Sequence, residues 1–577
     1  MQRIRDRATQ YLFDEWQFMG EKRKELLEKG WPGIFRRVLL ERLPIEQIRS
    51  CFHAKQGRPT KELYTMVGAV VVQQMLDLTD REVVRALAFD ARWHYAFDLR
   101  WETDADKYVC ERTLRGYRKR MVELGLDQVL FERLTEELLE AFEVETGKQR
   151  LDSTLIRSNM RHLHRGEIFA EGIRRFLKTL RRNHKEELEK VKGELVERYG
   201  KEEKGGCFSC VKPSEMKRKV EKMGEDLLWL VERFRGNGVV EGMASYRSLK
   251  RVLSEQCEVV GGEGEESRVR IREPKEVRAD SLQNPSDPDA TYDKHKGQGY
   301  QVQIMETYRD EEEGKRSLDL ITYVEVERAC ASDAGALLPA IEETQERGCG
   351  PEEVLADGGY GSDENVQKAL EKNVEVVSPA NKGMPAQGDR MGLEAFEFEE
   401  ETGKVSRCPA GERPIRTGCT PSGQYTASFD RETCVVCPLR ERCCVKIGTR
   451  SAWLKPYTGK KFRLACRRAK EKGEGFREKY RWRAGIEGTM SRYKSQMGAK
   501  RLRVRGMGAV RFAARLKALG LNILRCAQAV AEGIKWPVRP CGNDSGRESI
   551  RFCFQTWLSR LTAQPRRKLY FPLPQTV

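Results

Sequence analysis

The stretch that most constrains this chain is Glu474–Gly498, EGFREKYRWRAGIEGTMSRYKSQMG. Its length, its Arg, Glu and Lys content and the closing Gly498 predict one helix. Tyr480, Arg483, Glu487 and Lys494 are spaced 3, 4 and 7 apart, which puts all four on one helical face. Ile486, Met490, Tyr493 and Met497 form an apolar stripe about 80° away, at ~100° per residue. The apolar stripe anchors the helix on a core, and the polar stripe runs beside that core rather than opposite it. One carboxylate among an Arg, a Lys and a Tyr at the edge of a core suits a metal and phosphate site. The plain alternative is a solvated face carrying helical salt bridges. Gly485 and Gly488 flank Glu487 and cost roughly 1 kcal/mol each in a helix. Something must favour them, and close approach of another backbone, or of DNA, is one candidate.

Tyr480-x2-Arg483-x3-Glu487-x6-Lys494 resembles the signature around the third acidic residue of bacterial insertion-sequence transposases of the DDE type. The resemblance implies an α/β (mixed α+β) fold with an RNase H-like catalytic core. In that core two aspartates and this glutamate bind divalent metal, Mg²⁺ or Mn²⁺, two ions per site. It also implies a helical N-terminal domain that binds the element's ends.

At 577 residues the chain exceeds one ordinary core, so several domains or large insertions are expected. A formal charge of +17 and a pI near 9.1 favour a polyanionic partner. The start, MQRIRDRATQYLFDEW, lacks the apolar core of a signal peptide, and no apolar run approaches the ~20 residues of a membrane span. A cytoplasmic, nucleoid-associated protein without a membrane partner is expected. In that compartment the 17 cysteines are thiols or metal ligands before they are disulfides.

Residues 1–145 read as all-helical. A segment carrying Leu63, Met66, Val67, Val70 and Val71, the turn Leu78-Thr79-Asp80, and a second segment carrying Val83, Val84, Leu87 and Phe89 are compatible with helix-turn-helix DNA binding, or with an ordinary bundle. Arg112-Thr113-Leu114 and the run Arg115–Arg120 are candidate phosphate contacts. Residues 146–530 are expected to form the catalytic domain. It opens on a strand-like run from Lys148 to Arg157 with Asp152 inside it, and an acid in a strand interior is disfavoured unless needed. "DST" at Asp152 resembles the family's first-acid motif. Asp287-Pro-Asp289-Ala resembles a further one, preceding alternating strands around Tyr300–Ile304 and Leu318–Val326. Ser332-Asp333 opens a helix ending at Gly348. Val354-Leu355-Ala356 then delivers Asp357 ahead of Gly358-Gly359-Tyr360-Gly361, at a strand's carboxyl end, where α/β sheets place ligands.

Two insertions interrupt this order. In 165–278, Met216, Val220, Met223, Leu227, Leu230 and Phe234 form a heptad seam, and a looser seam through Ile173, Leu177, Leu180, Leu188, Val191 and Leu195 precedes it. The expectation is a helical hairpin of two long helices joined near Cys207-x2-Cys210. In 384–455, Cys408, Cys434, Cys437 and Cys443 match a tetrahedral thiolate zinc site, with Cys419 or Cys444 as substitute ligands; free cysteines are the alternative. Beyond the signature, Arg501, Arg503 and Arg505 project to one side if Lys500–Gly506 is extended. Val510–Val530 reads as a helix closing the core, and 531–577 as a basic tail.

Two divalent ions a few ångströms apart clamp the attacking and leaving oxygens of a phosphodiester. Mg²⁺ takes carboxylate oxygens, water and phosphate, and three carboxylates together without a cation repel. Asp152, Asp357 and Glu487 are therefore the expected catalytic metal ligands. Tyr480, Arg483, Lys494, Arg501, Arg503 and Arg505 are the expected DNA or phosphate contacts. The resemblance implies a transposase that hydrolyses DNA at element ends and transfers the 3′-hydroxyl ends to target DNA. Its partners are terminal inverted repeats and target duplex, and it works as a homodimer or higher oligomer on DNA. The alternatives are an RNase H-like nuclease without strand transfer and a non-catalytic, zinc-stabilised DNA-binding protein.

Overall fold

The computed structural model describes residues 2–5, 15–100, 102–200, 213–260, 268–310, 318–380, 390–399 and 401–534. Cys207, Cys210 and the tail beyond 534 lie outside these residues. Among the described residues of the N-terminal part, the regular elements are all helices. Leu63–Met75 (α1) is apolar on nearly every side and buried along almost its whole length. Asp80–Phe89 (α2) starts at a Thr79/Glu82 capping box and buries only Val83 and Leu87. Leu126–Ala141 (α3) follows an αL glycine, Gly125.

The central sheet has six strands: Lys148–Ile156 (β1), Thr291–Asp293 (β2), Gly297–Thr307 (β3), Ile321–Arg328 (β4), Glu353–Ala356 (β5) and Glu375–Val377 (β6). β1 pairs antiparallel with β3, and β3 with β4 and β2. On its other side β1 runs parallel to β5, which runs parallel to β6. The expected strand, antiparallel pair, helix and strand are present in that order, and a helix, Asp363–Glu371, and the strand β6 follow.

The first insertion differs from a two-helix arm. Arg165–Asn183 (α4), Pro213–Arg233 (α5) and Ala244–Gln256 (α6) pack against one another, and a small hairpin, Cys257–Val260 with Arg268–Ile271, pairs beside them. The two seams meet a third amphipathic helix, so Ile173, Leu177, Leu180, Leu227, Leu230, Phe234, Leu249 and Val252 close a core of their own. The sequence pattern of 244–256 is what the two-helix reading overlooked.

Leu337–Glu346 (α7) and Asp363–Glu371 (α8) cover the parallel strands. Asp333 belongs to a short 3₁₀ turn ahead of α7, not to the helix start. The second insertion is a small β module with a four-stranded sheet built from Arg416–Cys419, Tyr425–Phe429, Ala452–Trp453 and Lys446–Ile447, and a separate apolar core. Gly459–Glu471 (α9) leads out of it. The signature stretch is not one helix. It runs as Glu474–Tyr480 (α10), a 3₁₀ turn Arg481–Ala484, and Gly485–Ser495 (α11). Gly498 (φ +66°) ends the stretch, as expected. Met507–Ala531 (α12) is buried over most of its length and packs on α1, α3 and β4, closing the largest core.

Candidate active site

β1 alternates its side chains, so Arg150 and Asp152 share one face while Leu151 joins the core behind the sheet. That shared face meets the signature stretch. Arg483 Nη2 donates to Asp152 Oδ2 at 3.0 Å, and its Nη1 lies 3.6 Å from Glu487 Oε1. One guanidinium thus joins the acid of the strand to the acid of the helix. Asp357 stands beside them by register: Leu151 and Ala356 are partners in the parallel pair β1–β5, and each acid follows directly. Its Oδ1 accepts the Gly359 N–H at 2.8 Å. Glu487 is 70% exposed, whereas Asp152 is mostly covered.

The electrostatics of Asp152 follow from this crowding. Burial raises its carboxyl above the usual range, with Asp357 and Asp333 adding to the rise against Arg483 and the Ser153 N–H. Lys494 on α11 is half-buried, and no carboxylate pairs with it among the described residues. Burial lowers its ammonium, helped by Lys296 and Lys500 and opposed by Asp152. Tyr480 stacks on Phe476 at 5.3 Å, and burial raises its phenol. Tyr480, Arg483 and Lys494 each lie near enough to Asp152 to interact with its charge, across the 3₁₀ turn.

The apolar stripe behaves as its spacing predicts: Ile486, Met490, Tyr493 and Met497 are buried. The two glycines separate. A Cβ on Gly485 would sit 2.0 Å from Arg150 Nη1, while one on Gly488 meets nothing within 4 Å. The close neighbour at Gly485 within the protein is a side chain rather than a backbone.

Arg150 belongs to a buried network that sequence reasoning missed. Its Nε donates to Glu306 Oε1 at 2.7 Å, its Nη2 to Asp319 at 3.0 Å and its Nη1 to the Trp482 carbonyl at 2.9 Å. Glu306 also accepts from Thr489 Oγ1 at 2.7 Å and from Arg525 at 2.9 Å. Arg150 and Glu306 are register partners across β1–β3. Strand, signature stretch and α12 thus meet on one fully buried carboxylate. Burial opposes its ionisation, but Arg525 and Arg150 outweigh it and hold Glu306 below the ordinary range. The available signal was Arg150 itself, a cation two positions from Asp152 and so on the same face of the strand.

Other expected contacts are tied down inside the protein. Arg503 pairs with Asp77 at 2.9 Å, Arg505 donates to the Asn159 carbonyl, and only an isolated bridge, Arg157 with Arg501, forms where an extended run was expected. Arg501 is exposed. Arg115 and Arg118 both engage Asp80. Asp287 and Asp289 accept the Gly506 and Met507 N–H groups at 3.1 and 2.9 Å, so that motif tethers the start of α12. Arg467 on α9 donates to the Gly361 and Ser378 carbonyls, and Arg463 pairs with Asp363, clamping the loop after Asp357.

In the β module, Cys408, Cys434, Cys437 and Cys443 line one small cavity of about 20 Å³ with Phe429 and Val445. Burial raises the Cys434 thiol, and Cys408, Cys443 and Cys437 add to the rise. Cys444 is not among the lining residues, and Cys419 is exposed. Among the described residues, no three His, Cys, Asp or Glu side chains are grouped tightly enough to grip a metal ion, at the acids or at the thiols.

Two family models match the chain. Residues 407–527 match a Transposase DDE domain, and residues 22–120 match a Transposase domain (DUF772). Both are transposase families, and together they support an insertion-sequence DDE transposase. The DDE match takes in Glu487, Arg483 and Lys494 but stops short of Asp152 and Asp357. No curated protein sequence matches this transposase. Among solved structures, the piggyBac transposase synaptic complex with hairpin DNA is similar at 8% identity, covering 96% of this chain and 86% of that one, with a TM-score of 0.29. A TM-score of that size adds nothing to the assignment. No helix among the described residues is long and apolar enough to cross a membrane.

Proposed function

We propose that this transposase cuts DNA at the ends of its element and joins the freed 3′-hydroxyls to target DNA, with Asp152, Asp357 and Glu487 as its acidic triad. The observation that carries the reading is the Arg483 bridge, which draws Glu487 from the helix to Asp152 on the strand. The sheet supports an RNase H-like core: β1, β3 and β4 pair antiparallel with the short β2 added on β3, and β5 and β6 continue parallel from β1. The three side chains offer only carboxylate oxygens, the donor set that Mg²⁺ and Mn²⁺ take. When bound, two such ions supply the charge that polarises the phosphate and activates water or a 3′-hydroxyl. The protein's own part is positional. Arg483 neutralises the gathered acids and, with Lys494, holds phosphate oxygens beside them. Tyr480 packs the turn that aims Arg483.

Residues 1–145 are the proposed DNA-binding part, presenting Arg85 and Arg92 around the 86%-exposed Phe89 at the end of α2. Terminal inverted repeats are the proposed recognition sequence, and assembly on DNA as a homodimer or larger is part of the same reading. Cys408, Cys434, Cys437 and Cys443 are proposed as ligands of a structural zinc: the cavity they share has the right donors, and α9 carries the module's position to the Asp357 loop.

The test is nicking of supercoiled plasmid with Mg²⁺ or Mn²⁺, followed by strand transfer on the gene's own flanking repeats. Asp152→Asn, Asp357→Asn and Glu487→Gln should each abolish both activities and leave DNA binding intact, since binding rests on phosphate contacts to basic groups. Cutting without joining would return the nuclease reading, and a Glu487→Gln protein that still cut would remove Glu487 from the triad.

A further inference from the structure

The turn between β2 and β3 carries Lys296, which reaches Ser153, the residue after Asp152 on β1. Asp293 Oδ1 accepts the His295 and Lys296 N–H groups, and Gly297 (φ +97°) lets the chain reverse. Gly299 (φ +151°) then lies so close to β1 that a Cβ would sit 2.2 Å from the Ile156 carbonyl oxygen. The hairpin is therefore pressed onto the strand that carries Asp152, and its turn has little freedom. From there Lys296 Nζ donates to Ser153 Oγ at 2.7 Å and to Gln301 Oε1 at 3.1 Å. Its nearest carboxylate, Asp333 Oδ2, is farther at 3.6 Å, and Asp333 is already held by the amides of Gln301 (2.7 Å) and Gln303 (3.2 Å).

Lys296 thus combines two short hydrogen bonds to neutral oxygens with one longer ion pair to Asp333, which leaves its ammonium able to meet a further anion. It bonds the residue that follows the first acid and is near enough to Lys494 to depress that ammonium. We infer that Lys296 is a second phosphate contact of the acid site, holding the DNA strand from the hairpin as Lys494 holds it from the signature helix. Nothing in the signature points to this residue, because it reaches the site through the β2–β3 turn. The inference rests on the reading of the acid site as a DNA-cutting centre. The alternative role, neutralising Asp333, is internal to the protein and is indifferent to DNA.

Two measurements separate the roles. Binding of a short duplex of random sequence, followed across salt concentrations, counts phosphate contacts through its slope, and each lost contact lowers that slope by about 0.9. Lys296→Gln keeps a donor for Ser153 and removes the charge, so it should lower the slope by about one unit and slow plasmid nicking, while Lys296→Arg keeps the wild-type slope. On unmodified protein, the same duplex should shield Lys296 and Lys494 from acetylation. An unchanged slope in Lys296→Gln, or Lys296 acetylated equally with and without DNA while Lys494 is shielded, overturns the inference. Failure of the wild-type protein to nick plasmid, with neither lysine shielded, overturns the acid-site reading as well.

Discussion

Arg483 and Asp152 are separated by 331 positions, yet Arg483 Nη2 lies 3.0 Å from Asp152 Oδ2. The same guanidinium reaches Glu487. Asp152 and Glu487 repel one another when brought together, and a cation between them is the simplest relief. Arg483 serves that role within the protein.

Removing this cation should have a consequence that divalent ions reverse. Arg483→Ala is expected to melt earlier than wild type without metal, because Asp152 and Glu487 lose their shared partner. Added Mg²⁺ or Mn²⁺ should raise its melting temperature more than that of wild type. Cleavage should still fall about 100-fold, or ~2.7 kcal/mol of transition-state stabilisation, if the arginine also holds phosphate. Thermal melts with and without metal, beside single-turnover cleavage, check both parts. Wild-type cleavage by this variant would leave Arg483 a purely structural role.

Glu306 is a stability centre with a defined pH signature. Glu306→Gln strands Arg150 and Arg525 beside a neutral group, and breaking a buried pair of this kind costs about 3–5 kcal/mol. The carboxyl is held below its ordinary range, so its contribution is complete above the unfolded-state pKa. It is lost as pH falls through the lower folded-state value. The stability difference between wild type and Glu306→Gln should be flat near neutrality and shrink only in acid. Denaturant titrations across pH measure it, and a difference that shrank on raising pH would contradict the assignment.

The two glycines of the signature should respond oppositely. Gly485→Ala drives a methyl into the Arg150 guanidinium and should destabilise by about 1–3 kcal/mol. Gly488→Ala meets open space and should stabilise by about 1 kcal/mol through helix propensity. If Gly488 is kept for close approach of DNA, the same Gly488→Ala protein will bind duplex more weakly despite melting higher. Paired melts and binding curves read all three effects.

The cysteine cavity makes a compositional prediction. Purified protein should hold about one zinc per chain, lost in Cys434→Ser and retained in Cys419→Ser, since only the former lines the cavity. Chelation should also reduce protection of the Asp363 and Gly361 backbone in hydrogen exchange, because α9 connects the module to that loop. Metal-free protein with unaltered exchange would make these ordinary thiols.

Periodicity carried much of this protein at the level of sequence. The 3.6-residue repeat of Ile486, Met490, Tyr493 and Met497 determined which side of α11 is buried, because that choice depends only on local spacing. The strand bearing Asp152, the strand delivering Asp357 and the closing helix α12 were legible for the same reason. So was the grouping of four cysteines, whose spacing is short. Other features were decided only by tertiary structure. The third helix of the first insertion, the 3₁₀ break at Arg481–Ala484, the Arg150–Glu306 network and the reach of Lys296 to Ser153 all depend on register between segments far apart in the chain. Arg503 and Arg505 read as DNA contacts in sequence, and the fold gives them the partners Asp77 and the Asn159 carbonyl while leaving both exposed. A local pattern states which faces a segment has. Which charged group each face finally meets depends on the packing of the whole chain, where burial makes each unpaired charge too costly to leave to chance.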